Sequence, residues 1–92
     1  MVERWVTITN RLGLHARAAA LLVRTASAYQ SALRLEREDR TASADAKSIL
    51  SVLMLAASRG TRLLATADGA DESEAMAALC GLFAEGFGEK ES

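Results

Sequence analysis

Arg62-Leu63-Leu64-Ala65-Thr66-Ala67-Asp68-Gly69 is the stretch that decides the fold. Leu63, Ala65 and Ala67 alternate with Arg62 and Thr66, the period of a strand with one buried and one wet face. Leu64 is the apolar exception on the wet side. Asp68-Gly69 is a turn signal. Asp71 and Glu74 then have the spacing of a helix N-cap and its reciprocal partner. Met76, Leu79, Leu82 and Phe83 recur as the buried stripe of a long last helix, which Gly86-Phe87-Gly88 ends. A strand with one apolar face, followed by a helix with one apolar stripe, calls for a sheet covered on one side.

The rest of the chain repeats this logic. Lys47 to Ala57 is mostly apolar and fits a short helix with Ser48 near its start, ended by Ser58-Arg59-Gly60. Leu33 and Leu35 alternate with Arg34 and Glu36, a second half-buried strand. Arg37 to Arg40 turns the chain, and Thr41 to Ala44 is a short third strand. Ala16 to Ala28 is rich in alanine and leucine, strong helix formers, with a stripe at Ala19, Leu22, Val23 and Ala26. Val2, Val6 and Ile8 mark a first strand, interrupted by Arg4, and Asn10-Arg11-Leu12-Gly13 reads as a turn. The order is βαββαβα. Short strands with one polar face suit an antiparallel sheet, so the fold class is α+β. One domain is expected over residues 1–88, with a frayed tail at 89–92.

Composition narrows the function. A formal net charge of −1 gives no basic field for nucleic acid. No apolar run approaches the ~20 residues that span a bilayer, so membrane insertion is not expected. Met1 to Ile8, MVERWVTI, lacks the pattern of a secretory signal, and one cysteine, Cys80, cannot form an internal disulfide. These features favour the cytoplasm. Cys80 reads as a buried small hydrophobe, and Trp5 as a residue on the open side of the sheet. One histidine and one cysteine, far apart, give no metal-ligand spacing.

The histidine is the chemical candidate. His15 stands between a turn and a helix, in Gly13-Leu14-His15-Ala16-Arg17. The first amides of a helix lack internal partners and carry the positive end of its dipole, so the backbone of Ala16, Arg17 and Ala18 could hold a phosphate. Arg17 adds a fork of donors, and a neutral imidazole nitrogen is a competent nucleophile. Taken alone, a histidine beside a helix start is more often a capping or surface residue.

Gly-Leu-His-Ala-Arg-Ala-Ala, residues 13–19, resembles the active-site motif of the HPr family, the histidine-containing phosphocarriers of the phosphotransferase system. Lys47-Ser48-Ile49-Leu50 resembles the family's regulatory serine site, and Ala67 to Glu72 its turn into the last helix. The three motifs fall in the family's order. The resemblance implies an open-faced sandwich of four antiparallel strands with three helices on one face. It implies that His15 accepts phosphate on Nδ1 from enzyme I, with phosphoenolpyruvate as ultimate donor. The acceptor would be a sugar-permease component or a regulatory protein. Arg17 would stabilise the phosphate. Such a protein is a monomeric carrier without cofactors, not a stand-alone enzyme.

Ser48 matches the serine that a dedicated kinase phosphorylates in part of the family, and a regulatory role through Ser48 is the alternative reading; it also fits a plain helix cap. Ile49 to Leu55 is too apolar for a short helix to bury on every side, so Leu50 and Leu53 are expected outside and Val52 and Leu55 inside. By resemblance, Ile49, Leu50 and Leu53 would form one partner-binding face with the His15 region, and Arg24 and Lys47 would add positive charge. The sequence departs from the family pattern at Ala18, where the family has proline, and in a longer segment between Arg37 and Ala46.

Overall fold

The structure, a computed structural model, describes residues 1–89. Its elements are β1 (Val2–Thr7), α1 (Ala16–Ser27), β2 (Ala32–Arg37), β3 (Ser43–Asp45), α2 (Ile49–Met54), β4 (Arg62–Asp68) and α3 (Glu72–Ala84), followed by a 3-10 turn at Gly86–Gly88. The strands form one antiparallel sheet in the order β1-β4-β2-β3. The helices cover one face: α3 lies against β1 and β4, α2 against β3, and α1 packs on both α2 and α3. This is the open-faced α+β sandwich expected from the sequence.

The alternation in β4 sets the register. Leu63, Ala65 and Ala67 are fully buried. They face Val6, Arg4 and Val2 on β1, and Arg37, Leu35 and Leu33 on β2. Burying a leucine such as Leu63 contributes about 1.5–3 kcal/mol. The alanines keep the sheet surface low, and Ala18, Ala19, Ala26 and Ala75, all buried, do the same on the helices. Arg4 breaks the sequence pattern because β1 is an edge strand. Its side chain leans out to water and bonds the Glu3 carbonyl at 2.7 Å. On the open face Trp5 is half exposed, with the Arg62 guanidinium 4.6 Å from its ring centroid.

Three element boundaries differ from the sequence reading, each fixed by a side-chain hydrogen bond to the backbone. The third strand is Ser43–Asp45 rather than Thr41 to Ala44. The Asp39 carboxylate takes both the amide and the hydroxyl of Thr41, keeping that residue in the turn. Helix α2 is shorter than Lys47 to Ala57. Ser48 caps its start, accepting from Ser51 N–H at 3.3 Å. At its end Ala56 turns to φ 50°, and Arg37 Nη1 donates to the Leu55 and Ala56 carbonyls.

Asp71 does stand at the start of α3, but its carboxylate turns away from the helix. It accepts from Gln30 N–H at 2.8 Å, Ser31 N–H at 2.9 Å and the Ser31 hydroxyl at 2.5 Å. The reciprocal bond to the turn comes from Glu72, which accepts from Gly69 N–H at 3.2 Å, not from Glu74. Cys80 is half-buried rather than buried. The chain end also departs from expectation: Phe87 is buried and Glu89 is hydrogen-bonded, so the tail does not begin at residue 89. Residues 90–92 lie outside the described part.

Candidate functional site

His15 is the N-cap residue of α1, with extended backbone (φ −75°, ψ 177°) and no capping bond from its own ring. The first bond of the helix ladder runs from Ala19 N–H to the His15 carbonyl at 2.8 Å. The amides of Ala16, Arg17 and Ala18 therefore precede the ladder and have no acceptor within it. Arg17 is exposed and makes no ion pair among the described residues. Among the described residues, an imidazole, three amides without acceptors and an uncommitted guanidinium thus meet at one helix end, a cradle for an anion.

The loop that presents His15 is clamped from below. Gly13 adopts φ 66°, and a Cβ there would stand 2.5 Å from the Ala57 carbonyl oxygen, so only glycine fits. Leu14 is buried and its amide donates to the same carbonyl at 2.9 Å. Since Arg37 holds the Leu55 and Ala56 carbonyls, the loop after α2 is itself fixed, and it fixes the loop before α1. Asn10, only 2 % exposed, donates from Nδ2 to the Gly13 carbonyl at 2.7 Å.

The end of the chain adds a group that sequence reasoning missed. Glu89 Oε2 lies 2.8 Å from His15 Nε2 and 2.6 Å from Asn10 Nδ2. The His15 and Asn10 hydrogen bonds hold the Glu89 carboxyl below the usual carboxylate range. The other ring nitrogen, Nδ1, has no partner among the described residues. One signal for Glu89 was present: an aromatic residue between two glycines just past a helix, Gly86-Phe87-Gly88, marks a chain returning to the core rather than leaving it.

The family model for the PTS HPr component phosphorylation site matches residues 2–85. The chain belongs to the HPr phosphocarrier family of the phosphotransferase system. Among HPr relatives, the phosphocarrier protein HPr of Cupriavidus necator is 48% identical over 99% of this chain and 100% of its own length. The phosphocarrier protein NPr of Escherichia coli is 39% identical over 96% of this chain and 97% of its own. A crystal structure of HPr from Thermoanaerobacter tengcongensis superposes with a TM-score of 0.91 at 41% identity, covering 99% of this chain and 100% of that one. No helix among the described residues is long and apolar enough to cross a membrane.

The other expected site residues fall in two groups. Ile49, Leu50 and Leu53 are exposed on α2, together with Met54, while Val52 and Leu55 are core. Because α2 packs on α1, this apolar patch stands on an element adjoining the one that begins at His15. The two cations are not gathered with the histidine. Arg24 is exposed in the last turn of α1, about 13 Å along the helix from His15 at 1.5 Å per residue. The Lys47 ammonium is tied down, donating to the Tyr29 carbonyl at 2.7 Å. Ser48 is half-buried, its hydroxyl engaged as the cap of α2.

Proposed function

We propose that this chain carries a phosphoryl group on His15, accepting it from enzyme I and passing it to a permease component or regulatory acceptor. The observation that carries this reading is that, among the described residues, an unpartnered His15 Nδ1 meets the free amides of Ala16 to Ala18 and an uncommitted Arg17. The Nδ1 lone pair attacks the donor phosphorus in line. The N–P bond forms as the bond from phosphorus to the leaving group of enzyme I breaks, and the leaving group takes that electron pair. Phosphoenolpyruvate is the ultimate source of the phosphate.

The protein's part is positioning and charge screening. Arg17 and the helix amides neutralise the phosphoryl oxygens without reorganising. The exposed Ile49, Leu50 and Leu53 give partners a dry contact on the helix packed against α1, with Arg24 in the last turn of α1 and, secondarily, Lys47 just before α2 adding positive charge. The chain works as a monomer in the cytoplasm, where the free Cys80 stays reduced. Turnover requires its partners, so it is a carrier and not a stand-alone enzyme.

Regulation through Ser48 is the second reading, favoured by its place at the start of α2 beside the exposed patch. A phosphate there would add about −2 charge to the docking face.

The test is labelling by enzyme I and radiolabelled phosphoenolpyruvate. The expected product is an acid-labile, base-stable phosphoprotein that His15→Ala does not form. Equal labelling of His15→Ala would overturn the reading.

A further inference from the structure

Three successive residues after α3 adopt left-handed backbone: Gly86 at φ 59°, Phe87 at 58° and Gly88 at 73°. For a non-glycine residue this conformation costs energy and persists only where the surroundings hold it. Phe87 is held by burial, at 7 % exposure, and by an edge-on contact with Phe83 at 5.1 Å between ring centroids. The effect of this strained turn is to reverse the chain and bring Glu89 back over the loop before α1. There Glu89 Oε2 meets His15 Nε2 and Asn10 Nδ2.

The chemistry of the contact is directional. An ionised carboxylate only accepts hydrogen bonds, so both groups facing it must donate. Asn10 can do so in one orientation alone, because its amide nitrogen also faces the Gly13 carbonyl, a second acceptor. The neutral imidazole can do so only as the Nε2–H tautomer, which leaves the lone pair on Nδ1. We propose that Glu89, oriented by Asn10, is a positioning residue that locks His15 in the Nε2–H tautomer and so selects Nδ1 as the nucleophile. This inference rests on the reading of His15 as the phosphoryl acceptor. When Nδ1 forms the N–P bond the ring gains positive charge with the proton still on Nε2, and Glu89 faces that charge from the edge of the ring opposite Nδ1. No proton need leave the ring in the step.

The test begins on the unphosphorylated full-length protein, so it does not depend on phosphoryl transfer. The chain has a single histidine, so long-range ¹H–¹⁵N correlation spectra of the uniformly labelled protein, recorded at a pH where the ring is neutral, report its tautomer directly. The expected wild-type spectrum has Nδ1 at the unprotonated limit and Nε2 at the protonated one. Glu89→Gln keeps the size but can also donate, and its two nitrogen shifts should converge as the tautomer ratio falls by about tenfold or more. Asn10→Ala should move them the same way. Should the Asn10 variant fail to fold, Glu89→Gln alone decides, since residue 89 lies beyond the last helix.

A wild-type Nδ1–H tautomer, or shifts unchanged in Glu89→Gln, would overturn the inference. The second arm measures labelling by enzyme I, where Glu89→Gln should slow the initial rate by about tenfold. Phosphate found on Nε2 of wild-type His15 would sink the positioning role and leave the carrier reading standing. A locked tautomer in a protein that takes no phosphate at all would do the reverse.

Discussion

Gly13 and Ala57 touch where no side chain can intervene: a Cβ on Gly13 would lie 2.5 Å from the Ala57 carbonyl oxygen. Through that contact the core fixes the height of the loop carrying His15. Gly13→Ala combines a backbone clash with φ 66° on a non-glycine residue. It is expected to cost about 2–4 kcal/mol in urea denaturation and to slow phosphorylation further by displacing His15. Unchanged stability would mean that the loop lifts away freely and does not position the ring.

Asp71 is expected to make stability pH-dependent. Hydrogen bonds from the Ser31 hydroxyl, then from the Gln30 amide, hold its carboxyl below the usual range. A carboxyl depressed in the folded state contributes stability that is complete above its unfolded value, ~3.9, and disappears as pH falls through the folded one. Asp71→Asn should therefore lower the melting temperature at pH 7, with the difference from wild type shrinking below about pH 4. A difference that stays constant with pH would assign the loss to packing instead.

Ser48 and Leu50 separate stability from docking. Ser48→Ala removes the cap of α2 and should cost about 0.5–2 kcal/mol. Leu50, two-thirds exposed at 66 %, should tolerate serine within about 0.5 kcal/mol. Leu50→Ser should nonetheless weaken association with enzyme I, read as a raised KM for the carrier with little change in kcat. Wild-type KM in Leu50→Ser would remove the patch from the docking surface.

Ala18 stands where the family pattern has proline. Its amide lies before the first bond of the α1 ladder, so proline there breaks no helical hydrogen bond. Ala18→Pro is expected to fold and to accept phosphate from enzyme I, with the amides of Ala16 and Arg17 sufficing. Loss of labelling in a folded Ala18→Pro would show that the Ala18 amide is essential to the cradle.

What the sequence made legible follows from range. Leu63, Ala65 and Ala67 announce β4 because a period of two is written in adjacent residues. His15 and Arg17 announce the site because the motif is contiguous. The end of α2 was hidden because it is set by Arg37, 18 residues before the carbonyl of Leu55 that it caps. The start of α3 was placed correctly at Asp71, but its capping bond was not, because the Asp71 carboxylate serves Ser31, 40 residues away, rather than its own helix. Glu89 was hidden for the same reason more strongly, its partner His15 being 74 residues distant. Local rules name the elements and the nucleophile, while the groups that orient them come from elsewhere in the chain.

A carrier must surrender its phosphate as readily as it takes it. The most direct test is to label the protein through enzyme I, purify it from the donor, and mix it with unlabelled, dephosphorylated enzyme I. The expected result is rapid return of label to enzyme I, leaving the carrier unlabelled at His15. Label that stays on the chain, or sits on Ser48 instead, would contradict the central claim.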